Sequence, residues 1–491
     1  MTLDHSVLIA GGGPTGLVLA AELAIANVDV AIVERRATQE VEGARARGLY
    51  ARTLEFLDMR GVVDRFVAEG TKYPAVHVHP TALNITDLPT RHNYTLGLLQ
   101  GPVERILADW VMELGVPFYR SREVTGFTQD EHGIAVTVSD GKQTTTMRAK
   151  YLVGCDGGRS TVRKHAGIAF TGSDATTSWI IAEVRTTEPP PYGFRDNDTG
   201  THAIGPADGG LAGMVLTERL LRLESERTLD DLRNELRAVY GSDFGVHTPR
   251  WISSFNDATR QAASYRAGRV FLAGDAAHVH APHGGQGLNL GVGDAMNLGW
   301  KLGQVVRGES PDAFLDTYHA ERHPVGARVL RNNLTQVALA RTDDRTKAIK
   351  AVMTELLGTT QARQLMATEM TGLGVRYDVG EGHPLLGARM PDLDLVVSGE
   401  PVRMFELLRD GRPVVLNFSA AGRIDATAWG DRVRVIDATC DATWALPAMG
   451  SVDAPSAVVV RPDGYIAAVG DLTLEGVDQA LGLRRPAAKS E

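Results

Sequence analysis

The first 34 residues constrain the fold more than any other stretch. SVLIA (6–10) is a short apolar run of β type. GGGPTG (11–16) follows, then the helical pattern LVLAAELAIA (17–26), then VDVAIV (28–33) and Glu34. Strand, glycine turn, helix and strand make a βαβ unit, whose two strands must lie parallel with the helix across them. Gly11, Gly13 and Gly16 form G-x-G-x-x-G, and Glu34 lies 23 positions after Gly11. The first glycine permits the tight turn. The second lets a pyrophosphate reach the backbone, and the third lets helix and strand pack closely. The acid at the end of the second strand can accept from a ribose hydroxyl. The alternative is a purely structural glycine turn. The apolar span 7–33 imitates a membrane helix, but Pro14, Glu22 and Asn27 interrupt it, and the βαβ unit explains it better.

At 491 residues the chain is long enough for two or three domains. A net charge of −9 with mixed signs argues against nucleic acid as the main partner. Cys155 and Cys440 are the only cysteines, which fits a reducing compartment rather than a disulfide framework. The N-terminus has no basic n-region or cleavage pattern, so the expected location is cytoplasmic.

Arg45 and Arg47, in ARARGL (44–49), read either as a solvated loop or as a cation pair beside a pyrophosphate. GPVERILADWVMELG (101–115) reads as an amphipathic helix, and 123–141 as a hairpin. The apolar strand ending in CDGG (155–158) again offers a glycine turn for backbone approach. From Ile168 to Tyr265 the pattern turns to β runs broken by one helix, an inserted antiparallel layer suited to walling a second ligand. HPLLGARMPDLDL (383–395) reads as a linker into a C-terminal module with strands at 412–419, 432–439 and 456–470. The last is a hairpin around Pro462-Asp463-Gly464. The tail RRPAAKSE reads as disordered.

GDAAHVHAPHGGQGLN (274–289) admits three readings. His278, His280 and His283 suggest a metal, but H-x-H-x-x-H is not the i, i+4 spacing of a helical zinc pair. A plain structural loop is the second. In the third, Asp275 ends a strand where a carboxylate can bind polyol hydroxyls. A glycine loop then leads into a long helix whose free N–H groups, near 287–289, favour a neighbouring negative charge. A reduced flavin ring carries such a charge.

Taken together, GGGPTG…E, RARGL, CDGGRSTVRK and GDAAHVHAPHGGQGLN…DAMNLGWKL resemble the class A FAD-dependent aromatic hydroxylases. The resemblance is to the branch of aromatic polyketide hydroxylases, tetracycline-pathway hydroxylases and rifampicin monooxygenase, and it covers nearly the whole chain. It implies an α/β fold, with a Rossmann-like FAD-binding domain of para-hydroxybenzoate hydroxylase type (1–167 and 266–382). An antiparallel β substrate layer (168–265) is inserted in it, and a thioredoxin-like C-terminal domain without CxxC follows (383–491).

By the same resemblance, Gly11, Gly13, Thr15, Gly16, Glu34 and Arg35 would meet the ADP half of FAD. Arg45 and Arg47 would lie near the pyrophosphate and nicotinamide path. Gln100 and Arg105 would line the ribityl region, and Asp156 would handle FAD and NAD(P)H. Asp275 would bind the ribityl chain, while Pro282, Gly287, Leu288 and Asn289 would face the ring. Three positions depart from the family pattern: Leu99 for a proline, His283 for a small residue, and Gly293 for a glutamine. His283 would lie near the reactive face, though a surface orientation is the plainer expectation.

The activity implied is hydroxylation of a polycyclic aromatic substrate through a flavin C4a-hydroperoxide, using NADPH or NADH as transient co-substrate and O2. No nucleophilic catalytic residue, metal, nucleic acid or membrane is expected, and a homodimer is compatible. The alternatives are Baeyer–Villiger oxidation on the same fold, inactivation of a rifamycin or tetracycline, a flavin-free dehydrogenase, and a non-catalytic sequestering protein.

Overall fold

A computed structural model describes all residues except 1–2, 42, 44–45, 208, 224–225, 420–423, 425–426, 428 and 485–491. Arg45 and residues 485–491 of the tail read as disordered fall outside the described residues; Arg484, the first residue of that tail, is described and donates its N–H to Glu309 O at 2.7 Å. The elements that build the site are β1 (His5–Ala10), α1 (Pro14–Ile25), β2 (Val30–Glu34), α2 (Gln100–Glu113), β3 (Thr144–Gly154), β4 (Ser178–Arg185), β5 (His247–Asn256), β6 (Val270–Leu272), α3 (Gly287–Val306) and α4 (Asp316–Leu339).

β1 lies at the centre of an eight-stranded sheet, parallel to β2 on one side and to β3 on the other; β6 extends it, parallel to β3. Val7, Leu8 and Ile9 have no exposed surface, as a parallel strand covered on both faces requires. α1 and α3 pack together over this sheet. The hairpin expected at 123–141 forms from Glu123–Asp130 and Gly133–Ser139 and attaches to β3. The carboxyl ends of β1, β2, β3 and β6 therefore open onto one edge, where ligands bind in such sheets.

The inserted layer is a five-stranded antiparallel sheet ordered Gly193–Asn197, Gly200–Ala207, Leu211–Thr217, β4, β5. Its residues alternate. Ile180, Ala182 and Val184 join Met214, Leu216, Leu232 and Leu236 in a separate core. Trp179 and Ile181 face the other way, toward the main sheet's open edge.

At the C-terminal end, strands Arg434–Asp437, Val414–Asn417, Ala457–Val460 and Ile466–Val469 form a mixed four-stranded sheet. It carries the helix Leu474–Leu481, a thioredoxin-like arrangement with Cys440 as its sole cysteine. The stretch read as a linker is instead packed. Leu385 and Met390 are fully buried, and Arg389 pairs with Glu55 at 2.9 Å. Its apolar residues cover the FAD-side core, which a composition of Pro and Gly conceals. The Pro462-Asp463-Gly464 turn is likewise buried. Arg461 and Asp463 pair with each other and reach Glu321 and Asn297.

Among the described residues no helix is long and apolar enough to cross a membrane.

Candidate cofactor and substrate cleft

A cleft of ≈ 740 Å³ runs from the β1–α1 turn to the antiparallel sheet, within the size range of cofactor sites. Gly11, Gly13, Thr15, Glu34, Arg35, Gln100, Asp156, Asp275, Pro282, Gly287 and Leu288 all line it. Gly11 has φ +106°, and a Cβ there would stand 2.4 Å from the Cys155 carbonyl oxygen, so only glycine makes this turn. A Cβ on Gly13 meets nothing within 4 Å, because that side opens into the cleft. Gly16 does not line the cleft. It packs against Gly11, as the third glycine of the motif should.

α1 begins at Gly13 with Pro14 next and no side-chain cap, and α3 begins at Gln286, also uncapped. Both helix N-termini present unpaired N–H groups at the cleft, each with a partial positive charge.

Glu34 is buried and held on three sides. Gly12 N donates to Oε2 at 2.6 Å, and Arg36 N and Nε donate to Oε1 at 2.8 and 3.1 Å. Burial alone would raise its pKa, but these bonds and the Arg36 charge outweigh it and hold the carboxyl low. Arg36 also reaches Glu104 at 2.9 Å, and Glu104 accepts from Gln100 Nε2 at 2.8 Å. Gln100 and Glu104 are four apart on α2 and so share its cleft face. Arg105 lies a further 100° round the helix and pairs with Glu69 on the outer surface, away from the cleft. Its expected place at the ribityl region is thus corrected by helix phase.

Asp156 accepts from Ser160 Oγ and from the N–H groups of Thr161 and Val162, so its carboxylate shapes the glycine turn. Arg47 is exposed and lies near Gly213 of the antiparallel sheet rather than in the cleft lining. Asn289 also turns away from the lining. Its amide accepts from Tyr50 N (2.8 Å) and donates to Gly285 O (3.0 Å), tying the glycine loop to the chain at residue 50.

Asp275 is exposed and makes no hydrogen bond or ion pair among the described residues. The turn beneath it is fixed by a group the sequence reading left unassigned. Asp294, fully buried, accepts from Gly274 N (3.1 Å), His278 Nε2 (2.7 Å) and Arg322 Nε (2.8 Å). Burial raises its pKa, and the Arg322 and His278 charges bring it below the usual range. Its signal was the acid in DAMNL, the eighth residue of α3 and the only acidic one in that helix.

The three imidazoles diverge. His278 serves Asp294. His280 lines the cleft, with Nδ1 donating to Ala281 O at 2.6 Å. His283, expected at the surface, is half-buried and sets its edge against Trp179 and Phe255. Burial, then the neighbouring His79, bring its pKa down to about 4, so it is neutral at pH 7. Among the described residues no three His, Cys, Asp or Glu side chains gather as metal ligands would.

The donor set fits FAD: two uncapped helix N-termini and an open glycine for the pyrophosphate and ring edge, and an acid at each end for ribose and ribityl hydroxyls. The fold and cleft thus define an FAD-binding oxidoreductase with an inserted antiparallel layer.

The comparisons narrow this. Residues 4–333 match the FAD binding domain family, and residues 383–485 match the aromatic-ring hydroxylase C-terminal family. A rifampicin monooxygenase of Streptomyces venezuelae is 41% identical over 95% of this chain and 95% of its own length. The solved anhydrotetracycline hydroxylase OxyS of Streptomyces rimosus superposes with TM-score 0.90 at 38% identity, covering 99% of this chain and all of that one. CabE, an aromatic hydroxylase from angucycline biosynthesis, superposes with TM-score 0.91 at 35% identity, covering 98% and 100%. The chain belongs to the FAD-dependent aromatic hydroxylases, a family of flavin monooxygenases.

Proposed function

We propose that this chain hydroxylates a polycyclic phenol with NAD(P)H and O2. The balance is R–H + O2 + NAD(P)H + H⁺ → R–OH + H2O + NAD(P)⁺. The observation that carries the reading is the continuity of one cleft, from the uncapped α1 N-terminus and Glu34 to Ile181 and Phe255 of the antiparallel sheet. Such a cleft holds a dinucleotide and an apolar ligand end to end. The relatives named above for rifampicin, anhydrotetracycline and angucycline biosynthesis support a large aromatic substrate.

FAD supplies the activation of oxygen; the protein positions both ligands and keeps water out. Gly11–Gly13 and the α1 N-terminus hold the pyrophosphate, and Glu34 accepts from the ribose. Gln100 is held by Glu104 with its carbonyl available to the cofactor. Asp275 would accept from the ribityl chain, and the amides at Gly287 and Leu288 would stabilise negative charge on the ring. Pro282, in the same lining, would limit the space beside the ring. Arg35, in the cleft lining, would add positive charge beside the ADP half of FAD, and exposed Arg47 would do so for a visiting NAD(P)H. Both cysteines are free thiols, which fits a reducing cytoplasm.

Mass spectrometry of turnover mixtures under ¹⁸O2 with a panel of polycyclic phenols tests this. A labelled monohydroxylated product is expected. NADPH oxidation yielding only peroxide with every polycycle, beside coupled hydroxylation of a monocyclic acid, would overturn it.

A further inference from the structure

Trp179 of β4 and Phe255 of β5 are directly opposite across the antiparallel pair. Their rings stack with centroids 5.2 Å apart and planes at 12°. His283, from the glycine loop, closes the corner edge-on, 5.0 Å from Trp179 and 6.4 Å from Phe255. Trp179 is 5% exposed, whereas Phe255 shares the cleft wall with Ile181. Only Phe255, of the three rings, lines the cleft.

All three rings are held from behind. The Asp257 carboxylate accepts from Thr176 N, Thr176 Oγ1 and Thr177 N at 2.7–2.9 Å, which fixes the adjoining ends of β4 and β5. Asn333 of α4 donates to the carbonyls of Ala281 and His283, both at 2.8 Å, which fixes the loop. Phe255 therefore cannot turn without breaking contacts on two sides, and its orientation is set before any ligand arrives.

We infer that Phe255 is the stacking platform for the substrate's fused rings, with Trp179 and His283 as positioning residues behind it. This rests on the polycyclic-hydroxylase reading above. Ile181 pairs with Ser253, so Phe255 is its diagonal neighbour, roughly 7–8 Å away along the sheet. A fused ring system lying flat touches both; a single ring covers one. Pro282 and Gly285, which line the cleft as well, offer the facing wall little bulk. The class of ligand is a planar, fused aromatic phenol, and the discrimination against monocyclic phenols is built into the sheet.

The test uses the FAD-loaded full chain with alizarin and juglone as fused-ring probes and para-hydroxybenzoate as the single-ring probe. Affinity is read from flavin absorbance and tryptophan quenching. Phe255→Leu should weaken alizarin binding about ten-fold, about 1.4 kcal/mol, with unchanged FAD affinity and little change toward para-hydroxybenzoate. Phe255→Tyr should restore alizarin binding to within about two-fold. Trp179→Leu should remove most ligand-induced tryptophan quenching.

If the wild-type chain binds and hydroxylates a fused-ring probe and Phe255→Leu does so equally well, the platform is refuted and the proposed function stands. Loss of FAD together with alizarin in both Phe255 variants would also refute it, by showing a structural role. If the wild-type chain binds no fused-ring probe, the proposed function falls and the platform with it.

Discussion

Replacing Asp275 by alanine is expected to weaken FAD binding without weakening the protein. Its carboxylate makes no hydrogen bond or ion pair among the described residues, so the apo-protein loses only a long-range attraction to His280. The turn that carries it is fixed independently, through Gly274 N and Asp294. In the proposed site the carboxylate would make charge-assisted hydrogen bonds to ribityl hydroxyls, together worth about 1.5–3 kcal/mol. The dissociation constant for FAD should then rise ~10- to 150-fold. Titration of apo-protein with FAD, followed by flavin fluorescence, gives the constant. A thermal melt of the two apo-proteins gives the control, and their midpoints should coincide. Asp294→Asn provides the contrast. It removes the charge between His278 and Arg322 in a fully buried site, at a cost of about 3–5 kcal/mol to folding. An Asp275→Ala chain that binds FAD as the wild type does would refute the assignment. So would an Asp275→Ala apo-protein that melts as early as Asp294→Asn.

Gly13→Val should preserve the fold, since that Cβ enters open space, yet abolish FAD binding; circular dichroism and FAD titration separate the two. His202 is buried between Asn197 and Thr217 N, and burial brings its pKa down to about 4. As pH falls below about 6.5 the unfolded chain takes up the proton first. Stability is therefore lost down to about pH 4, by up to about 1.4 kcal/mol per unit; His202→Gln should flatten that slope in melts across the window. Arg60→Met should strand Glu22, now 2.6 Å from Nη2 in a site nearly closed to water, and lower the denaturation midpoint by about 3–5 kcal/mol equivalent. Dialysis against EDTA should leave NADPH oxidation and hydroxylation unchanged; stoichiometric zinc or iron whose removal stops turnover would restore the three-histidine metal site.

The βαβ unit and its glycines were legible because their constraint is local. Gly11 needs its φ wherever the sheet lies, and Glu34 follows the strand that leads to it. The inserted layer was legible through alternation, which survives without knowledge of the partner sheet. Arg105 was misplaced because one residue along a helix changes face by 100°, and only the observed phase of α2 separates it from Glu104. His283 and Asn289 failed for a related reason. A glycine-rich loop leaves side-chain direction to tertiary bonds, here from Asn333, Tyr50 and the aromatic corner. Asp294 was overlooked because its partners, His278 and Arg322, come from a turn 16 residues before it and a helix 28 residues after. The buried stretch 383–395 read as a linker because nothing within it reveals the surface it covers.

The buried turn at Pro462-Asp463-Gly464 makes the C-terminal module a poor candidate for exchange. Arg461 meets Glu321 through paired bonds of 2.9 and 2.8 Å across 140 residues of chain, and Lys301 shares that carboxylate at 2.9 Å. Arg60 donates to the carbonyls of Leu408 and Pro462. A chimera that joins this N-terminal part to a relative's module leaves Glu321 without its guanidinium partner and Asn297 without the Asp463 carboxylate, unless the donor brings its own Arg461 and Asp463. Drift at these positions is coupled: Glu321, Arg461, Lys301 and Asp463 form one buried charge network, so the loss of any one member changes the balance for the rest. The two ends of the chain, separable in sequence, are heritable only as a pair.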